Sequence, residues 1–262
     1  MDMIAPAAGK VAYVDDMNAL LNDLDRVAAI RADIQAGATY VMKSGVSAEM
    51  VDRVRDYLTG IGRSSIPNYQ PIKVGAPNFH RINYWDPRAH VKGCFHQFCF
   101  FPWNQDLFDF FNLFRPIFQV KNLLSGLPAE KFLGMTPEDG CTARLAFQFY
   151  PKGIGGLNKH VDPVDHHQLC VPIMLMSRKG QDFMQGGLYI VGPDGQKIYF
   201  DELGEPGDVV FFNAQGVHGV DRIDPDEEPN WPAFEGRWMG LFAVNKLFDN
   251  AAIADSVDLG EG

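Results

Sequence analysis

The sequence predicts an α+β chain with a jelly-roll-like β core, set behind helices contributed by its first half. Two changes along the chain carry this reading. Up to about residue 140, apolar residues recur at helical spacings of three and four. From about Cys141 the period falls to two, in short runs separated by turn residues. Helices first and strands afterwards point to an α+β arrangement around a sandwich or barrel. Neither a linker nor an internal repeat interrupts residues 1–262, so a single domain is expected, with a mainly helical part over 1–140 and the jelly-roll core over 141–250.

Met17, Leu20, Leu21, Leu24, Val27 and Ala28 keep helical spacing after Asp15, a candidate cap, and Gly37 offers a stop. A second helix is expected from near Ser47 through Met50, Val51, Val54, Tyr57 and Leu58, stopping before Gly60 and Gly62. A third is expected from about Asn104 to Arg115, where Pro116 should end it, since its ring cannot continue a helix. Between them runs an aromatic stretch from Phe79 to Trp103, suited to core packing or to the wall of a substrate pocket.

In the second half, Arg144, Gln148 and Tyr150 alternate with Leu145, Phe147 and Phe149, giving a strand with one polar and one apolar face. Strands are also expected at Leu169–Met176, Gly187–Val191, Gln196–Phe200, Asp208–Phe212 and Arg237–Val244. The turn residues Gly192-Pro193-Asp194-Gly195 should make a hairpin of the second and third of these.

Composition narrows the function classes. The 23 Lys and Arg against 33 Asp and Glu leave a net charge of −10, which repels phosphate backbones, and no basic stripe overrides it. Nucleic acid is therefore not expected as a partner. Nor is a membrane: no run approaches the ~18 apolar residues of a span. The first residues lack the basic start and apolar run of a secretory signal. Cys94, Cys99, Cys141 and Cys170 form no Cys-x-x-Cys pair, which fits reduced thiols in a cytoplasm and gives no zinc site. Oligomeric state is not legible.

Three features carry chemistry. In His160-Val161-Asp162, residues two apart on a strand project an imidazole and a carboxylate to one face. His218 follows the apolar strand opened by Gly207-Asp208. Arg237 opens another apolar strand, where a charge is expensive to bury without an anion. Taken singly, each has an ordinary structural explanation as a packed histidine or a strand-end charge. Two histidines and a carboxylate also fill one face of an octahedral iron and leave three positions open. Gln148 and Tyr150 share a face with Arg144 just before the metal motif, placing them to touch cosubstrate or substrate, or merely to form a polar strand face. Arg81 and Asn83 are candidate substrate contacts from the first half.

The stretch from Ala143 to Lys246 resembles the core of the Fe(II)/2-oxoglutarate dioxygenase superfamily, near its prolyl-hydroxylase-like and phytanoyl-hydroxylase-like branches. The matching elements are Tyr150-Pro151-Lys152-Gly153, His160-Val161-Asp162, Gly186-Gly187-Leu188-Tyr189, Gly207 to Phe212, His218-Gly219-Val220 and Gly236-Arg237. The resemblance implies a double-stranded β-helix with N-terminal helices buttressing one sheet. It implies Fe(II) held by His160, Asp162 and His218, with Arg237 gripping 2-oxoglutarate. O₂ and 2-oxoglutarate would be cosubstrates in hydroxylation or a related oxidation of a small molecule such as an amino-acid derivative or natural-product intermediate, with a peptide as the other substrate class, leaving succinate and CO₂. Asp162 stands where the superfamily's halogenases resemble Gly or Ala, so halogenation is not expected. Arg222 is a rival to Arg237, and Asp165 a rival carboxylate. The run Asp224 to Glu235 reads as a solvated loop or a lid. The alternative is a cupin-like metal enzyme or ligand-binding jelly roll, although its usual His-x-His is missing.

Overall fold

In the computed structural model, residues 9–164, 168–247 and 255–261 are described. The chain runs β1 (Val11–Val14), a 3-10 turn, α1 (Leu24–Gln35), β2 (Thr39–Lys43), α2 (Ala48–Ser64), β3 (Asn78–Ile82), β4 (Gly93–Phe100), α3 (Phe110–Leu113) and α4 (Arg115–Leu124). The strands β5 (Cys141–Pro151), β6 (Gly156–Val161), β7 (Ile173–Leu175), β8 (Gly187–Val191), β9 (Lys197–Tyr199), β10 (Asp208–Phe211), β11 (His218–Asp221), β12 (Gly236–Lys246) and β13 (Val257–Asp258) follow. Among the described residues, no helix is long and apolar enough to cross a membrane.

Two sheets meet at β4. The larger has the order β1-β2-β10-β7-β12-β5-β4, with β3 also on β4. The smaller runs β4-β6-β11-β8-β9, with β13 on β6. The start of β4 pairs with β6 through Gly93 and Cys94, while His96 to Phe100 pair with β5, so one strand carries the chain from one sheet into the other. The hairpin expected around Gly192 to Gly195 forms, pairing β8 with β9.

The alternation read in β5 sorts its side chains between two environments. Leu145, Phe147 and Phe149 face the helical side, where Phe114 and Phe118 of the helices meet Phe147 of β5 and Phe242 of β12 edge-on. Each such edge-to-face pair adds about 0.5–1.5 kcal/mol beyond the area it buries. Arg144, Gln148 and Tyr150 face inward, between the sheets.

The first 140 residues depart from the helical expectation by supplying four strands, because β1 and β2 extend the large sheet beyond β10. The first helix is also split. Asp23, not Asp15, caps α1, its carboxylate accepting from the Arg26 amide. Ser47 caps α2 as the sequence suggests, but α2 runs on through Gly60 and Gly62 to Ser64. Gly62 is there for space: a Cβ would overlap the Phe234 ring. The expected Asn104–Arg115 helix is mostly turn, and Pro116 begins α4 instead of ending a helix. Proline suits the first helical turn because the amide it lacks has no partner there anyway.

Candidate metal centre

His160 sits near the end of β6 and His218 at the start of β11, and the two are directly paired across the strands. Their ring centroids are 4.1 Å apart. Asp162 follows two residues after His160, its amide donating to the Ala214 carbonyl at 2.9 Å. One nitrogen or oxygen from each of His160, Asp162 and His218 falls within 4.8 Å of the others, the one such group of three His, Cys, Asp or Glu among the described residues.

Both imidazoles are held for this. His160 Nδ1 donates to the Asn158 carbonyl at 2.9 Å, and His218 Nδ1 to the Gly216 carbonyl at 2.8 Å. A carbonyl only accepts, so each Nδ1 carries the proton and each Nε2 presents a lone pair. Those Nε2 atoms lie 4.0 and 3.6 Å from the two Asp162 oxygens. Burial, reinforced by the neighbouring His218, pushes His160 down to about 4, which keeps it neutral. Burial alone would raise the Asp162 carboxyl, yet the neighbouring histidines and the Ser256 hydroxyl, which donates to Oδ1, hold it at about 2, so it is ionised. Two imidazoles presenting lone pairs and an ionised carboxylate are the donor set that suits a divalent iron with open positions.

The three side chains open on a cavity of about 360 Å³ between the sheets. Its floor carries Arg144, Gln148 and Tyr150 from β5, Gln97 from β4, and Met239 and Leu241 from β12. The Tyr150 hydroxyl donates to Gln148 Oε1 at 2.7 Å, and Gln148 Nε2 donates to Gln97 Oε1 at 3.0 Å. The polar face of β5 is thus a buried, hydrogen-bonded floor and not a solvated surface.

Arg237 stands opposite Tyr150 in the register, on the same face of β12 as Met239. It lies just beyond the lining residues and is fully buried. Its Nε donates to both oxygens of Asp201 at 2.9 and 2.8 Å, while Nη1 and Nη2 are buried without a hydrogen-bond partner. Arg222 is exposed and packs over Tyr84 at 5.4 Å, away from the cavity. Asp165 lies outside the described residues.

Neither Arg81 nor Asn83 lines the cavity. The Arg81 guanidinium stacks over Trp231 at 4.1 Å, and Asn83 accepts from the Cys94 thiol at 3.7 Å. No residue of the Asp224 to Glu235 segment lines the cavity, and its Phe234 packs on Phe149 and Trp238 of the large sheet. Sequence reasoning missed Asp201, Ser256 and Gln97. Gln97 alone had a local signal, as a polar residue on the same face of β4 as Phe95 and Cys99.

No model of a known protein family matches the chain, and no curated protein matches it. Solved structures do. A full-length Neurospora crassa protein in complex with alpha-KG and thymine is 13% identical, covers 98% of this chain and 96% of its own, and has a TM-score of 0.58. JOX2 in complex with 2OG, Fe and JA is 15% identical over 95% of this chain and 80% of its own, with a TM-score of 0.53. AviO1 from Streptomyces viridochromogenes is 12% identical over 87% of this chain and 97% of its own, with a TM-score of 0.52.

The chain has the jelly-roll fold of the 2-oxoglutarate oxygenases. At these identities the likeness is one of fold; the packing of Phe114 and Phe118 on the large sheet is this chain's own.

Proposed function

We propose that the chain is an Fe(II)- and 2-oxoglutarate-dependent dioxygenase that oxidises an unactivated C–H bond of a small molecule. The observation that carries this reading is the pairing of His160, Asp162 and His218 at a buried cavity, each imidazole fixed through Nδ1 with Nε2 left free. With iron bound, the chemistry supplied is oxidation of a C–H bond by O₂, coupled to conversion of 2-oxoglutarate into succinate and CO₂. The protein's own part is to bind, orient and exclude water. His160, Asp162 and His218 would hold the metal where they meet the cavity.

Arg237 is the proposed partner of the cosubstrate's distal carboxylate. A buried guanidinium with two unfilled donors suits a carboxylate gripped through paired N–H groups. Asp201 fixes its orientation through Nε, and Tyr150, with its ring centre 5.8 Å from the guanidinium, borders the same region. A volume of about 360 Å³ lies in the range of small-molecule pockets, which favours a small substrate over a peptide.

Anaerobic titration of Fe(II)-loaded protein with 2-oxoglutarate tests the reading. A weak visible charge-transfer band is expected in the wild type and is expected to vanish in His218→Ala. Bound iron without a band would overturn the cosubstrate assignment, and absence of iron binding would overturn the metal assignment.

A further inference from the structure

Arg144 and Arg237 project from the same face of the large sheet at opposite ends of the β5–β12 ladder. Arg237 stands opposite Tyr150 and Arg144 opposite Ala243. Tyr150 and Arg144 are six residues apart on one strand, which at about 3.3 Å per residue puts the two ends roughly 20 Å apart. The carboxylates of a five-carbon diacid are only about 6 Å apart, each C–C bond being about 1.5 Å. Each arginine side chain reaches about 7 Å, so only two guanidinia turned directly towards one another could share one such molecule.

The environments of the two guanidinia also differ. Arg237 is fully buried and paired with Asp201. Arg144 is half-buried, lines the cavity, and has no carboxylate partner among the described residues, while its Nε is buried without a hydrogen bond. Its polar neighbour is the Cys99 thiol, whose pKa burial pushes up, so no thiolate offsets the charge. The other long cations at the cavity differ. Arg88 is bound to Asp86 and Lys246 to Asp255, and Lys73 is exposed. Among the described residues Arg144 is therefore the one long cation lining the cavity that is neither exposed nor salt-bridged, and a carboxylate ligand would supply the opposite charge.

We propose that Arg144 is the substrate anchor and that the substrate is a small monocarboxylic acid. The proposal rests on the oxygenase reading for the word substrate, but not for the binding event. A single guanidinium balances a single negative charge, which favours a carboxylate over a phosphate dianion, and its planar fork pairs with the two carboxylate oxygens. The Gln97 and Gln148 amides, already bonded to one another beside it, leave the floor neutral elsewhere. Arg144 is thus a specificity-determining residue, distinct from the one that holds the cosubstrate.

The test uses the full-length chain and two probes of matched shape, phenylacetate and its neutral amide phenylacetamide. Their binding is followed by ligand-observed NMR, once without metal and once with Mn(II) and 2-oxoglutarate. Phenylacetate is expected to bind at least tenfold more tightly than the amide. Arg144→Gln should abolish the difference, Arg144→Lys should keep part of it, and the 2-oxoglutarate Kd should stay within about twofold in both. Equal binding of acid and amide by the wild type would overturn the proposal, as would a preference that survives Arg144→Gln. A 2-oxoglutarate Kd that rises in Arg144→Gln as it does in Arg237→Gln would make Arg144 a cosubstrate residue instead. Because the metal-free measurement reads the anion site alone, failure of metal binding would count against the oxygenase reading and leave this result standing.

Discussion

Burying a guanidinium costs several kcal/mol unless a carboxylate faces it, and Asp201 meets Arg237 through Nε alone. That leaves the Nη pair as the only donors able to receive a ligand. Removing a buried, hydrogen-bonded charge from a binding pair costs about 2–5 kcal/mol. Arg237→Gln is accordingly expected to raise the 2-oxoglutarate Kd roughly 100-fold, with metal affinity little changed, as read by the charge-transfer titration. Arg237→Lys keeps a partner for Asp201 and so separates loss of the clamp from loss of stability. The same effect in Arg222→Gln and not in either Arg237 variant would refute the assignment. His160, Asp162 and His218 were legible together because two-residue spacing on a strand and a histidine at a strand end are local facts. Asp201 was not. It meets Arg237 across thirty-six residues of chain, and only tertiary packing sets that distance.

The helices show how the same residue type reads differently in different company. Glycine is a poor helix former, so Gly60 and Gly62 look like stops, yet α2 passes through both. Gly60 has open space where a Cβ would go, whereas Gly62 is pressed against Phe234 of the Asp224 to Glu235 segment. Gly60→Ala should therefore stabilise the protein by about 0.5–1 kcal/mol, since alanine forms helix better. Gly62→Ala should destabilise it, and Phe234→Leu should relieve part of that loss, all read by urea denaturation. Stabilisation by both alanines would show that the Phe234 contact does not restrain α2. Pro116 carries the same lesson: sequence says only that a helix boundary is near, and which side it falls on depends on Phe114 and Phe118 finding the sheet.

At the scale of the molecule, strand order was beyond local reading. Nothing in residues 11–43 announces that β1 and β2 will lengthen a sheet otherwise built from the second half, because strand pairing spans long stretches of chain. The molecule also buries histidines it does not use as candidate ligands. His96 lies among Phe79, Phe149 and Phe234 with both ring nitrogens unpartnered, and burial holds both it and His80 at about 4. Above pH 6.5, folded and unfolded forms are both neutral at these positions and no stability depends on them. As pH falls from 6.5 towards 4, the unfolded chain takes up protons the folded one refuses, and stability drops by roughly 1.4 kcal/mol per pH unit for each histidine. Below about 4 that contribution levels off. His96→Phe should reduce the slope of unfolding free energy against pH in that window by about one proton. An unchanged slope would place the charged form of His96 at home in the fold.

The eleven residues of β5 also have a bearing on how this protein changes. Leu145, Phe147 and Phe149 belong to the packed side, and Arg144, Gln148 and Tyr150 to the cavity. Stability and selectivity are therefore written in alternate letters of one strand. A lineage, or an engineer, can rewrite Arg144 and Gln148 to suit a different molecule while leaving the aromatic letters between them, and the foldability they encode, untouched.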